Sequence, residues 1–330
     1  MSPLVRSARL SLIVLVTLLY LVNGIASQVD SDELPAKNQP ARTPPAKVGR
    51  KDKATPRFSW INPAQNSQQV PGLIHGQFHS TLVDQNVGYF LLLPPGYESK
   101  AGTQSQQRYP VVYYLHGGRP GSEAKGISLA PMMVEAMKSE QVGEMIYVFV
   151  NGGPVSHYNV PDQPGAIGAD VFIQELIPHI DQTYRTIADR SGRGLEGFSQ
   201  GGRGTMRLSL RYPELFSSVA AGGGGYETEK RISESEGRES ETLRFAIGDN
   251  TWDLARVYAK SDRPSLDLMI YVGTKGFNYQ NNLQYMAFLK EQGIPFRSLI
   301  VEGVPHSAKG IYEQKGLAIM KFHDDNFGSR

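Results

Sequence analysis

The chain has 330 residues, and Lys plus Arg at 34 against Asp plus Glu at 32 leave a formal charge of +2, with no basic block long enough to neutralise a run of phosphates; nucleic acid is excluded as an expected partner. Apolar residues at 40% are enough to bury a core, and Gly 35 with Pro 21 imply many tight turns, so wholesale disorder is excluded as well. Cys 0 removes disulfides, thiolate catalysis, iron–sulfur clusters and Cys-ligated zinc, which leaves an oxygen or a nitrogen as the only covalent nucleophile.

Residues 1–26 read as an export signal, with Arg6 and Arg9 ahead of a largely apolar run at 10–22 and small residues at Gly24 and Ala26 for cleavage. That run is shorter than the roughly 20 residues of a spanning helix. The expected mature chain is therefore secreted or periplasmic and has no membrane span, an uncleaved anchor being the alternative. Residues 27–57 carry Pro35, Pro40, Pro44, Pro45 and Pro56 among Lys, Gln and Asn, and have too little apolar surface to repay ordering. They read as a flexible linker to a single domain at 58–330.

Short apolar runs bounded by Gly, Pro or Asn mark strands at 88–93, 110–115, 145–150, 193–198, 217–221, 268–272 and 297–301. Several are apolar at consecutive positions, as in Val111-Val112-Tyr113-Tyr114-Leu115, which a strand covered on both faces requires. Between them lie helical patterns. In 281–292, Leu283, Met286, Ala287 and Leu289 share a face and Pro295 forbids continuation; 170–184 is a second helix, bent at Pro178. The alternation predicts an α/β fold, a mostly parallel doubly wound sheet with helices on both faces and ligands at the carboxyl ends of the strands.

Gly197-Phe198-Ser199-Gln200-Gly201 fits GxSxG, and its context is a strand, a sharp turn and a helix ending near Tyr212-Pro213. The flanking glycines let backbone and side chain pass at a strained serine. Ser199 is the candidate nucleophile. A hydroxyl needs a base, and in this architecture the histidine follows the serine. His306 sits just after the strand at 297–301, whereas His323 lies in a polar tail and is expected to be solvated. His306 is the candidate base. The oxyanion of a tetrahedral intermediate needs two backbone N–H groups, here assigned to Gln200 and to Gly118 in the loop Leu115-His116-Gly117-Gly118, with His116 bonding that loop.

These residues resemble an esterase family of the α/β-hydrolase superfamily that includes feruloyl esterases, enterochelin esterases and the antigen 85 mycolyltransferases. The matching pieces are Leu92 to Tyr97, Tyr114 to Gly118, Glu175 to Asp181, Tyr184 to Thr186, Gly197 to Gly202, Arg211 to Phe216 and Gly303 to Ser307. The resemblance implies an α/β-hydrolase fold, Ser199 as nucleophile, His306 as base and an oxyanion site at Gly118 and Gln200. It implies no cofactor and no metal. The family places its acid after the strand at 268–272, as in GTxD, where this chain has Gly273-Thr274-Lys275-Gly276. Gly276 stands at the aspartate. Three explanations follow: an acid from another loop (Asp249, Asp253 or Glu227), which is preferred because the other parts remain; Asn278 orienting the imidazole without charge; or lost catalysis. The expected function is an exported serine carboxylic-ester hydrolase working through an acyl-enzyme on a small-molecule or carbohydrate-linked ester of the feruloyl, acetyl or siderophore kind. An acyltransferase or a catalytically impaired binding protein of the same fold is the alternative.

Three other signals are set aside. Gly192 to Gly197 spells GxGxxG but leads into a strand instead of opening a helix. His75 and His79 share a strand face without a third ligand at metal spacing. The polar stretch 227–244 reads as a solvated insertion, with a lid as the alternative.

Overall fold

The computed structural model describes residues 58–64, 70–97, 107–161, 163–228 and 246–328. The export signal, the linker and most of the 227–244 insertion lie outside the described residues. Among those described, no helix is long and apolar enough to cross a membrane.

Eight strands form one sheet: β1 (Leu73–Ser80), β2 (Gln85–Leu92), β3 (Val111–Leu115), β4 (Ile146–Val150), β5 (Arg193–Phe198), β6 (Ser218–Gly222), β7 (Asp267–Lys275) and β8 (Arg297–Pro305). Their spatial order is β1-β2-β4-β3-β5-β6-β7-β8. β2 runs antiparallel to both neighbours, and every pair from β4 to β8 is parallel. This is the mostly parallel sheet that the apolar runs predict, in the α/β-hydrolase arrangement that the resemblance implies. β1 escapes the pattern because it is a half-exposed edge strand without a continuous apolar run.

Among the described residues, the longer helices that cover the sheet are α1 (Ala130–Lys138), α2 (Ile177–Thr183), α3 (Gln200–Arg211), α4 (Thr251–Tyr258), α5 (Tyr279–Glu291) and α6 (Ala308–Gly328). Successive strand residues point to opposite faces, so Val111, Tyr113 and Leu115 join Leu195 and Ile270 under α2, α3, α4 and α5. Val112 and Tyr114 join Tyr147 and Phe149 under α1 and α6. Each fully buried side chain of this size contributes about 1.5–3 kcal/mol, and both faces must be covered for the central strands to bury all five residues.

Three local departures have physical causes. The turn of helix before α2, Val171–Leu176, is wound as a π-helix. Pro178 has no N–H to give and crowds the carbonyl one turn back, and the wider turn accommodates both. The buried face of α5 is rotated from the expected one: Asn282, Tyr285, Met286, Phe288 and Leu289 point inward, and Ala287 is exposed. Polar Asn282 is buried because its Nδ2 donates to the Gly224 carbonyl at 2.7 Å. β8 continues past Val301 to Pro305 because a bulge against β7, between Gly273 and Lys275, absorbs what reads as a turn.

The largest correction concerns the tail. Residues 308–328 form one helix, and His323 is fully buried, not solvated. Its Nδ1 lies 2.8 Å from Ser218 Oγ on β6, and its Nε2 stands 3.6 Å from Glu196 Oε2 on β5. Glu196 Oε1 also accepts from the Tyr312 and Tyr271 hydroxyls at 2.7 and 3.3 Å. Buried polar groups persist when they bond to one another, and this cluster ties α6 to the centre of the sheet.

Candidate active site

The sheet topology dictates where chemistry can gather. β3, β5, β6, β7 and β8 are parallel, so the loops that follow them emerge along one edge, beside the point where the strand order reverses at β3. Those loops carry Gly117-Gly118, Ser199, Gly223, Gly276 to Asn278, and His306.

Ser199 joins β5 to α3 with φ 62° and ψ −120°, a left-handed conformation unusual for a side-chain-bearing residue. The turn is tight enough that a Cβ on Gly201 would overlap the Leu115 carbonyl and one on Gly197 would lie 2.6 Å from the Gly201 carbonyl. Hence glycine on both sides. The Ser199 N–H donates to the Gly222 carbonyl at 2.8 Å, which pins the turn to β6.

His306 follows β8 and precedes α6, and its Nε2 lies 2.8 Å from Ser199 Oγ. Its Nδ1 lies 3.2 Å from Asn278 Oδ1. The Asn278 side chain has a second bond, from Nδ2 to the Gly223 carbonyl. A carbonyl can only accept, so that contact fixes which amide atom is nitrogen and turns the oxygen toward the imidazole. An amide oxygen at Nδ1 demands Nδ1–H, which leaves the Nε2 lone pair free to accept from the Ser199 hydroxyl. An asparagine performs the same task in one of the convergent nucleophile–base–orienter sets. The Phe198 and Phe277 rings pack on the imidazole, with centroids at 4.7 and 4.3 Å. Burial pushes the His306 pKa down from 6.5 to about 4, because a poorly hydrated ring disfavours its cation.

The preferred source of the acid is overturned. Asp249 pairs with Arg207 at 2.6 Å and Arg211 at 2.5 Å. Asp253 accepts from Asn250 at 2.8 Å and pairs with Arg256 at 2.8 Å. Glu227 accepts from Asn281 at 3.3 Å. Asn278 takes the place beside His306. A Cβ built on Gly276 would lie 3.4 Å from Asn278 Oδ1 and 3.8 Å from the His306 N, so the position of the family's aspartate is next to the atom that replaces it.

Asp249 has a structural task instead. Arg207 is buried, lies over the Tyr158 ring at 4.1 Å and also donates to the His157 carbonyl. Removing its carboxylate partner strands a buried guanidinium. Asp249→Ala is expected to lower the unfolding free energy by about 3–5 kcal/mol in urea titrations, with any turnover per folded molecule unchanged. A loss of about 10⁴ in rate would instead mark it as the acid.

The oxyanion candidates flank the serine. Gln200 is the first residue of α3, so its N–H has no acceptor within the helix and lies at the positive end of the helix dipole. On the other side, a Cβ on Gly117 would lie 3.1 Å from Ser199 Cβ. The next residue, Gly118, turns with φ +68°, and its carbonyl accepts from Ser156 Oγ at 2.6 Å. His116 holds the loop: Nε2 accepts from the Gly152 and Ser122 N–H groups at 3.2 and 3.3 Å, and Nδ1 lies 3.1 Å from the Gly117 carbonyl. Burial keeps its pKa well below 6.5, as an accepting Nε2 requires.

The remaining signals resolve structurally. Gly192 to Gly197 runs into and along β5. His75 lies 3.0 Å from buried Glu123, and His79 stands 3.5 Å from Asp84. Phe277 is the feature sequence reasoning missed, and its signal was an aromatic residue immediately after the vacant acid position.

The model of the family described as "Putative esterase" matches residues 80–292, a stretch that holds Ser199 and Asn278 and ends before His306. An esterase of Mycobacterium tuberculosis is 25% identical over 265 residues, covering 73% of this chain and 55% of the relative. An endo-1,4-beta-xylanase/feruloyl esterase of Xylanibacter ruminicola is 31% identical over 133 residues, 38% of this chain and 18% of the relative. The chain spans about half the length, or less, of these curated relatives. Among solved structures, a ferulic acid esterase aligns with TM-score 0.62 at 21% identity, covering 77% of this chain and 98% of that one.

Proposed function

This chain belongs to the esterase family whose model it matches, and from that premise we propose that it hydrolyses carboxylic esters through an acyl-enzyme on Ser199. The observation that carries the reading is the 2.8 Å contact between Ser199 Oγ and His306 Nε2, with Asn278 facing Nδ1. The Ser199 proton passes to Nε2 as Oγ attacks the ester carbonyl, and the Gly118 and Gln200 N–H groups receive the oxyanion. Collapse expels the alcohol, which takes the proton from His306. Water then attacks the acyl-enzyme, again giving a proton to Nε2, and the acid leaves as His306 returns it to Ser199 Oγ. No cofactor enters the balance.

The substrate class we favour is a feruloyl ester, free or carbohydrate-linked, supported by the names of the xylanase/feruloyl esterase and ferulic acid esterase relatives, with an acetyl ester as the alternative. Arg6, Arg9 and the apolar run at 10–22 support export of the chain. Gly276 favours a second reading, a protein that binds esters without turnover. A fluorophosphonate separates the two: covalent modification of Ser199, with a burst of p-nitrophenol from p-nitrophenyl acetate, is expected of the esterase, and intact folded protein without adduct or burst would select the binder.

The base must be neutral to accept a proton. With its pKa at about 4, kcat/KM is expected to stay flat from neutral pH down to about pH 5 and to fall as pH drops through about 4. A limb near the ordinary imidazole value of 6.5 would contradict the burial of the ring.

A further inference from the structure

On the reading of Ser199 and His306 as nucleophile and base, we propose that Phe277 is a positioning residue. Its ring, together with Phe198, clamps the His306 imidazole against Ser199 and so supplies the orientation that a charged partner would otherwise impose. Three observations converge on it. The bond from Asn278 to Nδ1 is 3.2 Å long and uncharged on its acceptor side, a weaker restraint than the charge-assisted bond a carboxylate would make. Phe277 lies between Gly276 and Asn278, the vacant and the replacing positions, and its ring centroid is 4.3 Å from the imidazole. It is also 79% exposed, so burial of its own surface does not account for its placement. A phenyl ring has two torsions and makes a rigid wall at small entropic cost. A wall on the imidazole restricts the rotation that would carry Nε2 away from Oγ and keeps water off that side of the ring.

The test is a coupled series: Phe277→Leu and Phe277→Trp, each in the wild-type and the Asn278→Asp backgrounds, assayed with p-nitrophenyl acetate. Phe277→Leu is expected to lower kcat about tenfold with KM unchanged, and Phe277→Trp to restore most of the loss. In the Asn278→Asp background, where a charge orients the ring, the Phe277→Leu loss is expected to shrink below about threefold, the non-additivity of two residues serving one partner. The His306 titration, followed by NMR on the intact protein, is expected to rise from about 4 toward 6.5 in Phe277→Leu as water reaches the ring. Equal losses in both backgrounds, a rise in KM alone or an unmoved titration would overturn the clamp. Failure of the underlying reading has a different signature, namely wild-type protein that no fluorophosphonate labels, and the NMR titration tests the clamp even then.

Discussion

Ser199→Ala is expected to lower kcat/KM for p-nitrophenyl acetate by about 10⁴–10⁶-fold, leaving only the rate that binding and the oxyanion donors give over water. The variant should remain folded. Alanine fits the same turn, and the Ser199 backbone bonds, from its N–H to Gly222 and from the Arg203 N–H to its carbonyl, are independent of the side chain. A companion variant checks the geometry separately from the chemistry. Ser199 has φ 62°, a conformation that strains a residue bearing a Cβ by about 1–3 kcal/mol. Ser199→Gly should therefore be as inactive as Ser199→Ala and melt at a higher temperature. An alanine variant with undiminished hydrolysis would remove Ser199 from the mechanism.

The second large effect belongs to Asn278. Asn278→Leu removes the acceptor at Nδ1 and with it the preference for the Nδ1–H tautomer, and a loss in kcat approaching the roughly 10⁴-fold of a misdirected imidazole is expected. Asn278→Asp makes the opposite test. A carboxylate at 3.2 Å favours the imidazolium, so the His306 pKa rises from about 4. The sign follows directly: the base is neutral only above its pKa, so the acid limb of kcat/KM moves to higher pH. The same variant loses the bond from Nδ2 to the Gly223 carbonyl, which lowers thermal stability without affecting the direction of the limb. An acid limb that stays near pH 4 in Asn278→Asp would mean that another residue faces His306.

The parts of this site that were legible in the sequence are those for which local backbone demands dictate residue type. A serine between glycines at a strand-to-helix turn announces itself because bulkier flanks would collide with Leu115 and Gly201. The central strands announce themselves because both their faces are buried. The orienting residue is a different matter. Whether Asp249, Glu227 or Asn278 meets His306 depends on the register of β7 against β8 and on the bulge between Gly273 and Lys275, which no local pattern encodes. Asp249 misled because its carboxylate is committed to two arginines, one of them on a buried face of α3 that composition alone would place in solvent. His323 misled for the same reason: its polar neighbourhood in sequence is one face of a helix whose other face meets a buried carboxyl group.

That helix begins two residues after His306 and is tied to the sheet at both ends, by Tyr312 to Glu196 near its start and by His323 and Asn326 to Ser218 near its far end. His306, the base of the proposed mechanism, therefore hangs between an outermost strand and the last helix of the described chain. A shortened polypeptide ending before His323 would keep every atom that the proposed mechanism uses, yet would lose the far one of these two moorings. On the proposed mechanism, turnover at Ser199 is therefore expected to draw on residues that never approach the substrate.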